Sequence, residues 1–255
     1  MLDKIDIEDI KVIAIEAGDA IMKIYQQDFT VEYKEDNSPL TKADMVSNNI
    51  ICNSLEKKYP DIPILSEENQ EIPYDVRKNW DYYWCIDPID GTKEFVKKNG
   101  EFTVNIALIY KSEPVMGVVF SPVLEELYWA KKGSGAYKNG KTLPLKINTY
   151  PKQKLTVVAS KSHFSKETQE FIDALDTETI AQVSKGSSLK LCMVAGGVAD
   201  IYPRLAPTME WDTAAADAIV RESGKMSYQF ENNKPIAYNK ENLLNPWFLV
   251  SNRGL

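Results

Sequence analysis

Apolar residues near the start of the chain return every three or four positions. Ile10, Ile13, Ala17, Ile21 and Ile24 form one stripe, which predicts a packing helix from about Asp6 to Gln26. Phe29 to Lys34 then alternates like a strand, ahead of a polar turn at Glu35 to Pro39. Helical spacing resumes with Val46, Ile50, Ile51 and Leu55, behind Thr41 and Asp44, which stand three apart as in a capping box. Ile62 to Leu65 is a short apolar strand ending at Glu67-Glu68, and the polar stretch up to Tyr83 reads as a connecting loop. The apolar run Tyr82 to Ile86 predicts a buried strand that stops at Asp87-Pro88, because proline removes a backbone donor.

The middle of the chain is rich in strands. Phe102 to Ile109, Val115 to Phe120, Leu127 to Ala130 and Ala136 to Lys141 follow one another, with Asn139-Gly140 as a hairpin signal. The rhythm then changes to strand Leu155 to Ala159, helix Ser165 to Leu175, strand Ala181 to Val183 and a helix from Leu189 to Val194 capped by Gly186-Ser187-Ser188. Glu210 to Thr213 opens an alanine-rich helix that ends at Ser223-Gly224, with Asp212 at its start as an N-cap or as something more. This alternation implies an α/β layer. Thr149-Tyr150-Pro151 divides a half over 1–150 from a half over 151–255 within one body.

Composition narrows the function. The chain has 255 residues, 44% of them hydrophobic, enough to bury a sizeable core. Its formal charge of -7, with no basic stripe, argues against a nucleic-acid partner. No apolar run reaches bilayer-spanning length, and the acidic first helix is no signal peptide, so a cytoplasmic location is expected. Cys52, Cys85 and Cys192 read as buried free thiols, and the single histidine, His163, rules out a histidine-rich zinc site. A metal held here would be held by oxygen.

The candidates are carboxylates at the tips of elements: Asp44, Glu67, Asp87, Asp90 and Asp212. Each has a local explanation in a cap, a turn or a solvated loop. Together they are the ligand set that Mg²⁺ favours, with room for a phosphate oxygen. Gly91 permits a tight turn, and Thr92 starts a helix whose first amides would face the aspartates. A P-loop and the Asp-x-Asp-x-Thr signature of aspartyl-phosphate enzymes are both absent, so water is the expected nucleophile.

In this order, Leu40-Thr-Lys-Ala-Asp44, Leu65-Ser-Glu-Glu68, Asp87-Pro-Ile-Asp-Gly-Thr92 and Trp211-Asp-Thr-Ala-Ala215 resemble the inositol monophosphatase superfamily of lithium-sensitive, magnesium-dependent phosphatases. The stretch Asp90 to Val96, Asn99 to Ile109, Ala159 to His163, Gly186 to Cys192 and Ala199 to Arg204 is similar to its CysQ-type 3'(2'),5'-bisphosphate nucleotidases. The resemblance implies an αβαβα five-layer sandwich and removal of the 3'-phosphate from adenosine 3',5'-bisphosphate. It implies two or three Mg²⁺ ions held by Glu67, Asp87, the Ile89 carbonyl, Asp90 and Asp212, with Li⁺ inhibitory. Asp44 and Thr92, assisted by Glu67, would orient the water. The Gly91 and Thr92 amides would receive the phosphate, and His163, Ser187, Lys190 and Arg204 would contact the nucleotide.

An inositol or sugar monophosphatase with the same cage is the alternative, and a non-catalytic nucleotide- or metal-binding regulator a third reading. A monomer or homodimer, and a peripheral place on the inner face of the membrane, are both compatible with the resemblance. One departure stands out: Ala195-Gly196-Gly197 replaces the Ala-Glu-Gly expected after the Lys190 helix, which bears on local helix stability.

Overall fold

The computed structural model describes residues 1–28, 30–33, 39–69, 71–144, 154–160 and 164–252. Its N-terminal elements are α1 (Ile7–Tyr25), β1 (Val31–Tyr33), β2 (Pro39–Thr41), α2 (Lys42–Lys58), β3 (Ile64–Ser66), α3 (Tyr74–Arg77), β4 (Tyr82–Asp90) and α4 (Thr92–Val96). There follow β5 (Thr103–Tyr110), β6 (Glu113–Ser121), β7 (Glu126–Lys131), β8 (Gly135–Lys138) and β9 (Lys141–Thr142). The last group is β10 (Lys154–Ser160), α5 (Lys166–Asp173), β11 (Thr179–Lys185), α6 (Leu189–Ala195), β12 (Tyr202–Arg204), α7 (Glu210–Glu222), β13 (Lys225–Gln229) and β14 (Phe248–Asn252).

Strands β3 to β9 form one sheet in chain order, with β3 and β4 parallel and every later pair antiparallel. Period-two alternation gives it two apolar faces. Trp84, Ile86, Ile106 and Leu108 pack with the Ile10, Ile13 and Ile21 stripe of α1 and with Ile51 and Leu55 of α2. Isoleucine is a mediocre helix former, but each buried side chain contributes about 1.5–3 kcal/mol, so packing rather than propensity holds α1. Tyr83, Cys85, Ala107 and Ile109 face the other way, into a cluster with α6, α7 and the second sheet layer.

That second layer joins the parallel pair β10–β11 to the antiparallel set β12-β14-β13 through a Val157–Ile201 bridge. Helix α5 lies against β12. The layers therefore run helix, sheet, helix, sheet, helix, the αβαβα order expected. Helix α7 lies between the sheets, and its Ala214, Ala215, Ala216 and Ala218 are buried. It approaches β6 so closely that a Cβ on Gly117 would sit 2.1 Å from the Ala215 carbonyl oxygen. Small residues on both elements allow this, and the approach fixes where α7 begins.

Several expectations are refined. The segment before β4 holds the short helix α3, and Glu67 and Glu68 lie in a 3₁₀ turn rather than a loop. Strand β4 does not stop at Asp87-Pro88 but continues to Asp90, with its register shifting between those two aspartates. A bulge tolerates the missing proline donor, and the Pro88 carbonyl accepts from Ser47 Oγ at 2.8 Å. Gly196 is the C-cap of α6 at φ -74°, outside the helix interior, so it does not carry a mid-helix glycine's cost. The expected division near Tyr150 and the residue His163 lie outside the described residues. No helix among the described residues is long and apolar enough to cross a membrane.

Candidate metal and phosphate site

Three carboxylates converge where β4 meets the start of α7. Asp87, Asp90 and Asp212 each offer an oxygen within 4.8 Å of the others. Asp87 is buried, its Oδ1 accepting the Ile89 N–H at 3.1 Å. Asp212 is not the N-cap of α7, which is Met209; it occupies the third helical position, where its Oδ2 accepts the Met209 N–H at 2.8 Å. Burial holds all three above the ordinary carboxylate pKa, and mutual repulsion adds to it for Asp87 and Asp212, raising Asp212 to about 8. Glu67 lies outside the 4.8 Å group but lines the same cavity, and its charge acts on Asp87 and Asp212.

Asp44 serves two purposes with its two oxygens. Oδ2 accepts the Thr41 N–H at 2.8 Å and the Thr41 hydroxyl at 2.7 Å, closing the capping box of α2. Oδ1 lies 3.2 Å from Thr92 Oγ1, and the same hydroxyl lies 3.2 Å from the Ile89 carbonyl. Burial raises the Asp44 pKa against these hydrogen bonds. One carboxylate thus closes the cap of α2 and also reaches Thr92 at the cavity.

Gly91 sits between the aspartates and Thr92 at φ 93°, a left-handed conformation, and a Cβ there would lie 3.1 Å from the Glu101 carbonyl. The turn and the crowding both call for glycine. Asp87, Asp90, Asp212, Glu67, Ile89, Gly91 and Thr92 line a cavity of about 470 Å³. Asp44 reaches it through Thr92.

Ser187, Lys190 and Arg204 line the same cavity. Lys190 is not a solvated surface lysine: it is buried, donates to the Ser187 carbonyl at 2.6 Å and lies over the Tyr202 ring. Burial lowers its pKa to about 8, with Asp90 opposing the shift. Arg204 donates to the Pro207 carbonyl at 2.5 Å, while its Nε and Ser187 Oγ are buried without a hydrogen-bond partner among the described residues. Cationic and hydroxyl side chains with unspent donors in a cavity lining suit an anion.

Two supporting residues escaped the sequence reading. Ser188 was expected to cap α6, yet it makes no capping bond and turns its hydroxyl to Asp90 Oδ2 at 2.7 Å. Asn105 Nδ2 donates to Ser188 Oγ at 2.9 Å. Thr103 and Asn105 are polar residues two apart in an otherwise apolar strand, and that break in pattern was the available signal.

The family model described as the inositol monophosphatase family matches residues 1–250. The chain belongs to this family. Among its relatives, the 3'(2'),5'-bisphosphate nucleotidase CysQ of Salmonella typhimurium is 43% identical over 248 residues, covering 96% of this chain and 99% of that one. The protein of the same description from Escherichia coli K12 is 43% identical over 242 residues, covering 94% of this chain and 96% of that protein. The crystal structure of CysQ from Bacteroides thetaiotaomicron, a bacterial member of the inositol monophosphatase family, superposes with a TM-score of 0.84 at 44% identity, covering 95% of both chains. An inositol monophosphatase from Thermotoga maritima shares the fold at a TM-score of 0.78 and 27% identity, over 95% of this chain and 90% of that one.

Buried Glu210 fixes the start of the helix that carries Asp212. It accepts the Asn239 N–H at 2.7 Å, the Lys240 N–H at 3.0 Å and the Lys240 ammonium at 2.5 Å. The loop so anchored brings Leu244 to the cavity wall.

Proposed function

We propose that the chain is a magnesium-dependent phosphomonoesterase that converts adenosine 3',5'-bisphosphate to AMP and phosphate. One observation carries the reading. A single cavity holds an acidic cluster, a cationic set (Lys190 and Arg204 beside Ser187), and apolar walls from Tyr202, Leu244 and Phe248. A nucleotide with two phosphates has a matching part for each. The 43% identity to proteins described as 3'(2'),5'-bisphosphate nucleotidases supports the same substrate class.

The donor set fits Mg²⁺. It is all oxygen, and its close-set carboxylates repel one another, an excess of charge that a hard divalent cation relieves. Glu67, Asp87, the Ile89 carbonyl, Asp90 and Asp212 would hold two or three ions, with Li⁺ as an inhibitory competitor. When bound, the cations supply Lewis-acid stabilisation to the phosphoryl oxygens and the attacking water.

The chain's own groups do the positioning. Asp44 Oδ1 accepts the Thr92 hydroxyl proton, which leaves the Thr92 oxygen to accept from the incoming water. Its raised pKa makes Asp44 the better proton acceptor. The water oxygen bonds to phosphorus as the bond to the 3'-oxygen breaks. One water proton passes through Thr92 to Asp44, and the departing oxygen takes a proton from solvent. The Gly91 and Thr92 amides hold the transferring phosphoryl group, and Ser187, Lys190 and Arg204 hold the 5'-phosphate.

The purified protein with Mg²⁺ is expected to release phosphate from adenosine 3',5'-bisphosphate far faster than from inositol 1-phosphate. The opposite ranking in a phosphate-release assay would favour the inositol monophosphatase reading. Lys190→Met is expected to raise KM for the bisphosphate by about 10-fold or more, the weight of a lost charge-assisted bond, with a smaller effect on kcat. An unchanged KM would remove Lys190 from the second phosphate site.

A further inference from the structure

Ser188 stands at the N-cap of α6, where a serine ordinarily spends its hydroxyl on the helix amides, and it makes no such bond. The preceding Ser187 takes a left-handed φ of 46°, and Gly186 N–H is pinned to Glu101 Oε2 at 2.9 Å. The turn so held directs the Ser188 hydroxyl into the carboxylate cluster. Its Oγ lies 2.7 Å from Asp90 Oδ2 and 2.6 Å from the Asp212 carbonyl oxygen. Asn105 Nδ2 lies 2.9 Å from that Oγ and 3.3 Å from Asp90 Oδ2. Ser188 is 1% exposed, so water does not compete for these bonds.

A hydroxyl has one proton and two lone pairs. Asn105 donates to the Ser188 oxygen, so the hydroxyl proton is shared between an Asp90 carboxylate oxygen and the Asp212 backbone. One atom thereby ties the end of β4 to the first turn of α7, two segments that bring like charges together. We propose that Ser188 is a positioning residue for metal binding. Its hydroxyl fixes the Asp90 carboxylate against the Asp212 backbone and presets their spacing before a cation arrives. The proposal rests on the metal reading above. Groups that orient a ligand carboxylate from behind lower the reorganisation that binding would otherwise require.

The test uses the full chain, stripped of metal by chelation and titrated with Mg²⁺ by calorimetry. Ser188→Ala is expected to weaken Mg²⁺ binding by about 10-fold or more, the usual effect of losing an outer-shell partner. It should also shrink the rise in thermal midpoint that Mg²⁺ produces. A merely structural role would lower the midpoint with and without Mg²⁺ and leave the affinity alone. An unchanged affinity in Ser188→Ala overturns the proposal. Should that variant not fold, Asn105→Ala removes the donor that orients the hydroxyl: weaker Mg²⁺ binding supports the proposal and unchanged binding overturns it. Absence of Mg²⁺ uptake by the wild-type chain would instead bring down the metal reading itself, and this proposal with it.

Discussion

Replacing Asp90 by asparagine is expected to abolish turnover while leaving the fold intact. Loss of a partner behind a metal ligand typically costs about 10- to 100-fold, so loss of a ligand carboxylate should exceed about 100-fold in kcat/KM. The amide keeps the shape and can still accept from Ser188 and Asn105, which bond Asp90 Oδ2 at 2.7 and 3.3 Å. It also removes one of the like charges that raise the Asp212 pKa. The metal-free variant should therefore melt at or above the wild-type temperature. Steady-state kinetics and a thermal melt on one preparation check both halves. Wild-type turnover in the variant would remove Asp90 from the ligand set, and a collapsed melt would make any loss of activity uninformative.

Magnesium is expected to raise the thermal midpoint by roughly 5–10 °C at about 100 times its dissociation constant. That concentration contributes about 2.7 kcal/mol to the native state, and each kcal/mol moves the midpoint of a chain this size by about 2–4 °C. The pH dependence follows from the raised carboxyl pKa values. In the metal-free protein, Asp212 has a pKa of about 8, and Asp87 and Asp90 are also raised. Between the ordinary carboxylate range near 4 and about 8, the native state holds protons that the unfolded chain has released. Stability from these groups therefore falls as pH rises through that window. The metal-free midpoint should drop with it, and the Mg²⁺-induced rise should grow as protons cease to compete. Scanning melts from pH 5 to 8.5 with chelator or Mg²⁺ tests this; a rise that shrinks toward high pH would contradict the cluster's role.

Much of this was legible in the sequence because its periods were clean. Ile10, Ile13 and Ile21 announced α1, and the run around Trp84 announced the central strand. Proline misled at Pro88: a missing donor reads as a stop, yet a register break lets the strand pass through. Asp44 showed why a local motif cannot decide between cap and site, since one oxygen closes the cap and the other bonds Thr92. Ser188 was illegible as a partner of Asp90. Nothing in the sequence around it marks which way its hydroxyl turns, and the fold buries it between Asp90 and the Asp212 backbone. Placing Asn105 against Ser188 needed the two halves of the chain brought together, a contact 83 residues apart.

The contact between Gly117 and Ala215 has a consequence for how this protein can change. Backbone there meets the space of a missing side chain, so no rotamer can absorb a substitution. A methyl group at 117 must push α7 as a body, and Asp212 rides on its first turn. Selection on the phosphatase thus falls on a residue without a functional group, and a change at β6 is registered as a change in the alignment of the reacting atoms.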